Sequence, residues 1–219
     1  MEHFLRYPLE VIPYVLMTLI AAFTVHELAH AYVAYKFGDE TAKRQGRLTL
    51  NPLKHLDPFG TLLIFIMGFG WARPVPVNRI YFKKPRLAGI LVSIAGPISN
   101  LILAFFGFLM IAIGIKLYGV LPLSFSNEFF TCFEIWINLN LVLFLFNLMP
   151  FPPLDGFRVI QDLVSPNLRA QLTKYEAYGS LVFLIIVITP LGNSIFWPFL
   201  NNGRDIIIGI FNTILRPLM

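Results

Sequence analysis

Long apolar runs, separated by short polar or proline-rich stretches, make up most of the chain. A helix that crosses a membrane needs about 20 mostly apolar residues. Four runs meet this requirement, and they extend approximately over Leu9–Phe37, Leu87–Leu117, Phe129–Leu148 and Tyr178–Leu200. The pattern predicts an α-helical integral membrane protein, built as a bundle of about four full spans.

Shorter segments lie between and after these spans. Phe59–Trp71 and Ile206–Leu215 are apolar but too short to cross a bilayer, so we expect re-entrant or interfacial positions for them. Arg47–Leu50 alternates polar and apolar residues, and Val75–Phe82 carries a proline suited to a sheet edge. These two segments predict a small β element. Phe157–Lys174 is polar and predicts a helix outside the membrane.

The composition leads to the same class of protein. Hydrophobic residues make up 57% of the 219 residues and charged residues 13%, whereas soluble domains average about 45–50% and about 25%. Mean hydropathy is +0.71. One soluble core of this size cannot bury so much apolar surface, so the lipid bilayer is an expected partner.

The basic residues are unevenly distributed. The chain has 17 Lys and Arg against 12 Asp and Glu, and ten of the 17 lie between Lys36 and Arg86. Basic loops of membrane proteins face the cytoplasm, so we expect a multi-pass protein with loop 36–86 cytoplasmic. No feature typical of nucleic-acid binding accompanies the charge, and nucleic acid is not an expected partner. The sequence leaves the oligomeric state open.

The first predicted span contains the sequence His26-Glu27-Leu28-Ala29-His30. Histidines four residues apart lie on one face of a helix, one turn from each other. Two such imidazoles can hold one Zn²⁺ while the intervening glutamate reaches the water that the metal activates. The alternative is a polar cluster that only stabilises the bundle. Ionisable groups within a membrane are costly and usually functional, which favours the metal site.

A catalytic zinc needs a third protein ligand. Glu128 and Glu134 near the start of the third span, and Asp155 just after its end, are the acids near membrane depth. Asp155 follows two prolines, and a broken backbone at that depth is tolerated where a cavity satisfies it. The same sequence taken alone is typical of a plain turn. Together with the incomplete zinc site, it favours Asp155 as the third ligand.

Two buried amides lie near the predicted site. Asn100 and Asn147 are candidates for an oxyanion donor or for holding an unwound substrate backbone. The alternative for each is a helix–helix hydrogen bond, which is common for asparagine in membranes.

Taken together, these segments resemble the site-2 protease family of intramembrane zinc metalloproteases, over about residues 10–160. The resemblance is carried by His26-Glu27-Leu28-Ala29-His30, by Ser93-Ile94-Ala95-Gly96-Pro97-Ile98-Ser99-Asn100, by Asn147-Leu148-Met149-Pro150 with Leu154-Asp155-Gly156, and by Asn51-Pro52-Leu53-Lys54-His55-Leu56-Asp57-Pro58.

The resemblance implies roles for particular residues. His26, His30 and Asp155 are implied as ligands of one zinc ion, with Glu27 as the general base. It makes His55 a candidate for shaping the site entrance or contacting substrate. The family cuts transmembrane helices of single-span proteins, often in regulated intramembrane proteolysis, so transmembrane proteins are the implied substrates. Several members of the family carry a PDZ or CBS domain. This chain has room for neither, so the resemblance implies a minimal form of the family.

The resemblance also implies a prokaryotic plasma membrane. We expect a single membrane-embedded metalloprotease domain over residues 1–219, with a catalytic core of about 10–160 and a C-terminal span and interfacial helix of about 178–217. Two rival functions stay open, a non-proteolytic zinc-binding scaffold and a metal transporter. Internal repeats are common in transporters, and none is visible in this sequence.

Overall fold

The computed structural model describes residues 7–67, 70–117 and 123–216. Residues 68–69, within the segment predicted as Phe59–Trp71, lie outside this description. Eight helices follow one another along the described chain: α1 Ile12–Lys36, α2 Thr41–Arg44, α3 Pro58–Met67, α4 Pro85–Leu117, α5 Leu123–Asn147, α6 Asp155–Leu163, α7 Pro166–Ile188 and α8 Pro190–Leu215. Short 3₁₀ turns occupy Leu9–Val11, Pro52–Lys54 and Arg79–Tyr81.

Four helices are long and apolar enough to cross a membrane, which confirms the predicted helical class. Among the described residues they are Leu9–Lys36, Pro85–Leu117, Asn127–Asn147 and Pro166–Ile188. The first span ends where Gly38 adopts a φ of +103°, a conformation that favours glycine. A Cβ at this position would also lie 3.2 Å from the Tyr81 carbonyl oxygen.

The C-terminal bounds differ from the expectation of a span over Tyr178–Leu200. Helix α7 begins at Pro166 and ends at Ile188, because Pro190 cannot continue it and instead starts α8. Ile206–Leu215 is therefore the last part of the long helix α8 rather than a separate helix. The predicted Phe157–Lys174 helix is likewise divided, between α6 and α7, at Ser165-Pro166.

The helices α1, α4 and α5 pack against one another, and α4 also contacts α6. Small residues of α4, including Gly89, Ser93 and Gly96, are buried in this packing and allow close approach of the helices. Two apolar clusters flank the polar middle of the bundle. One contains Val15, Leu19, Phe23 and Ile64, and the other contains Ala34, Phe82, Ala88 and Val92.

The predicted small β element is wrong, because the described part of the chain contains no strand. Arg47–Leu50 forms bends that follow α2, and Arg79–Tyr81 is a 3₁₀ turn. Residues 72–78, here called the extended segment, precede this turn, have no helix or turn assigned, and pair with no second strand. Pro74 and Pro76 have no N–H to donate to a ladder, and the neighbouring N–H groups bond to other partners, described below.

Candidate active site

Three side chains from two distant parts of the sequence converge in the middle of the bundle. Nε2 of His26 and Nε2 of His30 lie 3.0 Å apart, and each is 3.2 Å from Oδ2 of Asp155. All three residues are 7% exposed. Helix α1 places the two histidines one turn apart, and Asp155 is the first residue of α6. The three ligand atoms could hold one metal ion.

The other ring nitrogens fix the tautomers of the two histidines. Nδ1 of His26 donates to Oδ1 of Asn100 at 2.7 Å, and Nδ1 of His30 donates to the Val92 carbonyl oxygen at 2.6 Å. With Nδ1 as the donor in each ring, it is the Nε2 atom of each ring that faces the Asp155 carboxylate and can bind a metal ion. Three electron-rich atoms this close repel one another unless a cation lies between them.

The spacing and the chemistry of these donors fit zinc. Tetrahedral nitrogen and oxygen ligands at zinc distances lie about 3.3–3.5 Å from one another, close to the spacing of the three atoms here. Gly96 of α4 leaves the necessary space, because a Cβ at Gly96 would lie 2.3 Å from Nε2 of His30 and 2.6 Å from Nε2 of His26.

Glu27 lies beside this cluster and is held by the backbone. The N–H of Val75, in the extended segment, donates to Oε2 of Glu27 at 2.8 Å. Glu27 is 7% exposed. One carboxylate oxygen is therefore fixed, and a second oxygen is left to accept a proton.

The extended segment is itself fixed at three points. The N–H of Arg73 donates to the His55 carbonyl oxygen at 2.8 Å, and Nη2 of Arg47 donates to the Arg73 carbonyl oxygen at 2.6 Å. At the other end, the N–H of Asn78 donates to Oδ2 of Asp39 at 2.6 Å. Loop residues that are not metal ligands therefore set the position of the group that holds Glu27.

A cavity of about 400 Å³ opens beside the three ligands and Glu27. Its walls are mainly apolar, with a few polar groups, as in sites that bind a polypeptide or small molecule. Trp71, Leu143, Phe146 and Phe183 contribute apolar surface, and Asn147 contributes an amide.

The sequence-predicted site residues have different positions. His26, His30, Asp155 and Glu27 come together, as described. Asn147 lines the cavity and donates from Nδ2 to the Leu143 carbonyl oxygen of its own helix at 3.0 Å.

Asn100 and His55 lie away from the cavity wall. Asn100 is fully buried behind His26, and its Nδ2 donates to Oδ1 of Asn140 at 3.1 Å. His55 is also fully buried, and its Nε2 donates to the Thr49 carbonyl oxygen at 2.8 Å. The alternative ligands Glu128 and Glu134 are exposed on α5.

Sequence reasoning missed four contributors. These are Asn140, the Val75 N–H, the Val92 carbonyl and Arg158, which lines the cavity. For Asn140 a signal existed, since an amide in the middle of a span needs a buried partner. The backbone groups gave no signal, because every residue carries them.

Comparisons with known proteins agree with this geometry. The profile of Peptidase family M50 matches residues 115–189, which include Asn147 and Asp155. The chain is 63% identical to YwhC of Bacillus subtilis over the full length of both chains. It is 30% identical to Rip2 of Mycolicibacterium smegmatis, over 79% of this chain and 66% of the relative.

A third relative is archaeal. MJ0611 of Methanocaldococcus jannaschii is 30% identical over 67% of this chain and 68% of its own. All three relatives bear the name "Putative zinc metalloprotease". No solved structure matches the chain. The extent and identity of the YwhC match, together with the family profile, show that the chain belongs to peptidase family M50, the site-2 protease family.

Proposed function

We propose that this protein is an intramembrane zinc metalloprotease that hydrolyses peptide bonds within transmembrane helices of single-span proteins. The observation that carries the proposal is the convergence of His26, His30 and Asp155 beside Glu27, in a cavity inside an apolar bundle. A metal transporter has no need of a carboxylate held next to a complete ligand set, and a scaffold has no need of the cavity.

His26, His30 and Asp155 would hold one zinc ion, which supplies an activated water and a Lewis acid that polarises the scissile carbonyl. Glu27 takes the proton of the attacking water and delivers it to the leaving amine. The Val75 N–H keeps Oε2 of Glu27 in place during both transfers. The amide of Asn147 is available to donate to the substrate backbone from the cavity wall.

The extended segment is the surface on which an unwound substrate backbone lies. In an extended chain, backbone groups of alternate residues point to opposite sides. The N–H and carbonyl groups of Arg73 and the N–H group of Val75 bond to the protein. In this arrangement the carbonyl groups of Pro74 and Pro76 point away from it. This outer side offers carbonyl acceptors and no donors. The substrate therefore has to supply the N–H groups, which its helix releases only where it unwinds.

The proposal includes location and biological role. The basic loop 36–86 faces the cytoplasm of a prokaryotic plasma membrane, following the charge distribution. Cleavage of a single-span protein there releases its cytoplasmic part, which is the step that regulated intramembrane proteolysis requires.

The test is cleavage of a panel of single-span helices by the purified protein in lipid vesicles. Wild type is compared with Glu27→Gln, and Glu134→Gln is the matched control because Glu134 is exposed and lines neither cavity. We expect wild type and Glu134→Gln to cleave alike, and Glu27→Gln to be about 10²–10⁴ times slower. Zinc content should stay near one ion per chain in all three. Equal cleavage by all three proteins, or a protein without zinc, would contradict the proposal.

A further inference from the structure

A second cavity, of about 310 Å³, adjoins the one that contains the metal ligands. The two cavities share five lining residues, which are Val75, Val77, Val92, Ser93 and Arg158. The two cavities are therefore direct neighbours, and Arg158 belongs to the lining of both. Three guanidinium groups line this second cavity, those of Arg79, Arg158 and Arg169.

Two of the three arginines are already paired. Asp162, with a fully buried side chain, accepts from Nη1 of Arg79, and it lies 3.3 Å from Nη1 of Arg169. Glu176 also lines the cavity, and its Oε2 accepts a hydrogen bond from Gln161 at 3.2 Å. Both contacts go to Oδ1 of Asp162, and Oδ2 is buried without a hydrogen-bond partner. No ion pair joins Asp162 to Arg158, which lies four residues before it on α6.

Arg158 is the one of these three arginines that forms no ion pair with a carboxylate. It is half-buried, and no ion pair joins it to any acid in the described ranges. The three arginines outnumber Asp162 and Glu176 by one, and Arg158, which lines both cavities, is the one of the three that has no ion pair. A partly desolvated guanidinium gains most from a carboxylate, which it can bind in a bidentate fashion.

Arg158 also lies close to the reaction centre. It is three residues after Asp155, so the two side chains emerge from the same face of α6, with Cβ atoms about 5–6 Å apart. An extended chain advances about 3.3 Å per residue. A group bound by Arg158 is therefore about two to four residues from the bond that is cut.

We propose that Arg158 forms a subsite for an acidic side chain of the substrate, about two to four residues from the scissile bond on the side of the basic loop. The inference rests on the proposed function. A lipid headgroup is the other anion of a membrane, but it would approach from the bilayer surface. The lining shared with the metal-site cavity favours a carboxylate on the same polypeptide that is cut.

The first experiment uses a cleaved single-span helix with its cut site mapped. Positions two to four residues from the cut are changed to Glu or to Gln, and kcat/KM is compared for wild type, Arg158→Gln and Arg158→Lys. Arg44→Gln is the matched control, because it removes an exposed arginine with the same change in charge. We expect wild type and Arg44→Gln to prefer Glu about tenfold. Arg158→Gln should lose the preference, and Arg158→Lys should keep part of it.

A second experiment separates this inference from the proposed function. The same Glu and Gln peptides are titrated against Glu27→Gln protein, with and without Arg158→Gln, in nanodiscs of phosphatidylcholine. Tighter binding of the Glu peptide that requires Arg158 supports the subsite even if no substrate is cleaved. Equal binding of the two peptides overturns it even if cleavage is strong. Phosphatidylglycerol is also added to wild type and to Arg158→Gln. If the two peptides bind equally and the lipid stimulates cleavage only when Arg158 is present, the arginine binds a headgroup and the subsite is likewise overturned.

Discussion

The inner part of the bundle and its C-terminal pair of helices are stabilised in different ways. In α1, α4 and α5, polar side chains within the spans bond to one another, as in the series His26, Asn100 and Asn140. In α7 and α8, aromatic rings pack together, with the Phe183 and Phe196 centroids 5.6 Å apart. The contrast shows that buried polar groups locate the chemistry, whereas the ring contacts support the wall around it.

The largest effect should come from Gly96→Ala in the inner part. The added methyl group would lie 2.3 Å from Nε2 of His30, and the ring cannot yield because Val92 holds its other nitrogen. We expect zinc affinity to fall more than about 100-fold and proteolysis to be lost. Zinc content and cleavage are measured together.

The matched control is Gly209→Ala in α8, where nothing lies within 4 Å of an added Cβ. This variant should bind zinc and cleave like wild type. If the two alanine variants behave alike, Gly96 does not shape the metal site.

Asn100→Leu should have the next largest effect. It removes the acceptor that orients Nδ1 of His26, and such partners typically contribute 10–100-fold to metal affinity. Competition with a zinc chelator measures the affinity. Unchanged affinity would assign Asn100 to helix packing or to substrate.

Arg47→Ala tests the support of Glu27. Removing the 2.6 Å bond from Nη2 to the Arg73 carbonyl loosens the extended segment that carries the Val75 N–H. We expect kcat to fall about tenfold with zinc content unchanged, and Arg47→Lys to recover part of it. Lys43→Ala, on the exposed surface nearby, is the control. A change confined to KM would contradict this role.

Phe196→Ala should leave the chemistry nearly intact. It opens space in the cluster formed with Phe146, Phe151 and Phe183. The free energy of unfolding should fall by about 1–3 kcal/mol, because membrane helices gain from packing more than from hydrophobic burial. Thermal unfolding with zinc analysis checks this. Loss of zinc at a temperature where the fold persists would mean that the two regions are coupled.

The smallest effect is expected for the contribution of His55 to the pH dependence of folding stability. Burial lowers the pKa of His55 in the folded protein, whereas the unfolded value is about 6.5. The unfolded chain therefore binds a proton more readily, and stability is highest above about pH 6.5 and falls as the pH decreases below it. His55→Gln should flatten the dependence of Tm on pH in that range. An unchanged slope of Tm against pH would show that other titratable groups dominate the pH dependence of stability.

The sequence predicted what depends on hydropathy and on local spacing. Four helices suited to spanning the membrane follow from runs of apolar residues, and the pairing of His26 with His30 follows from the helical repeat. Asp155 enters the predicted ligand set because few acids lie at that depth. The β element was predicted wrongly, because alternation along one segment does not reveal that Arg73 and Val75 donate to His55 and Glu27 rather than to a second strand. The absence of a carboxylate at Arg158 depends on which acids the fold assigns to Arg79 and Arg169, and no local pattern encodes it.

The prolines of the extended segment also affect how copies of the protein coexist in a crowded bilayer. An unpaired extended edge normally templates edge-to-edge aggregation with another copy. In the proposed arrangement the outward groups belong to Pro74 and Pro76, so two such edges would present only carbonyl oxygens to each other. Like acceptors repel, which disfavours pairing of two molecules through this edge. The edge that we propose as the substrate-binding surface would therefore be a poor template for edge-to-edge pairing with a second copy of the protein.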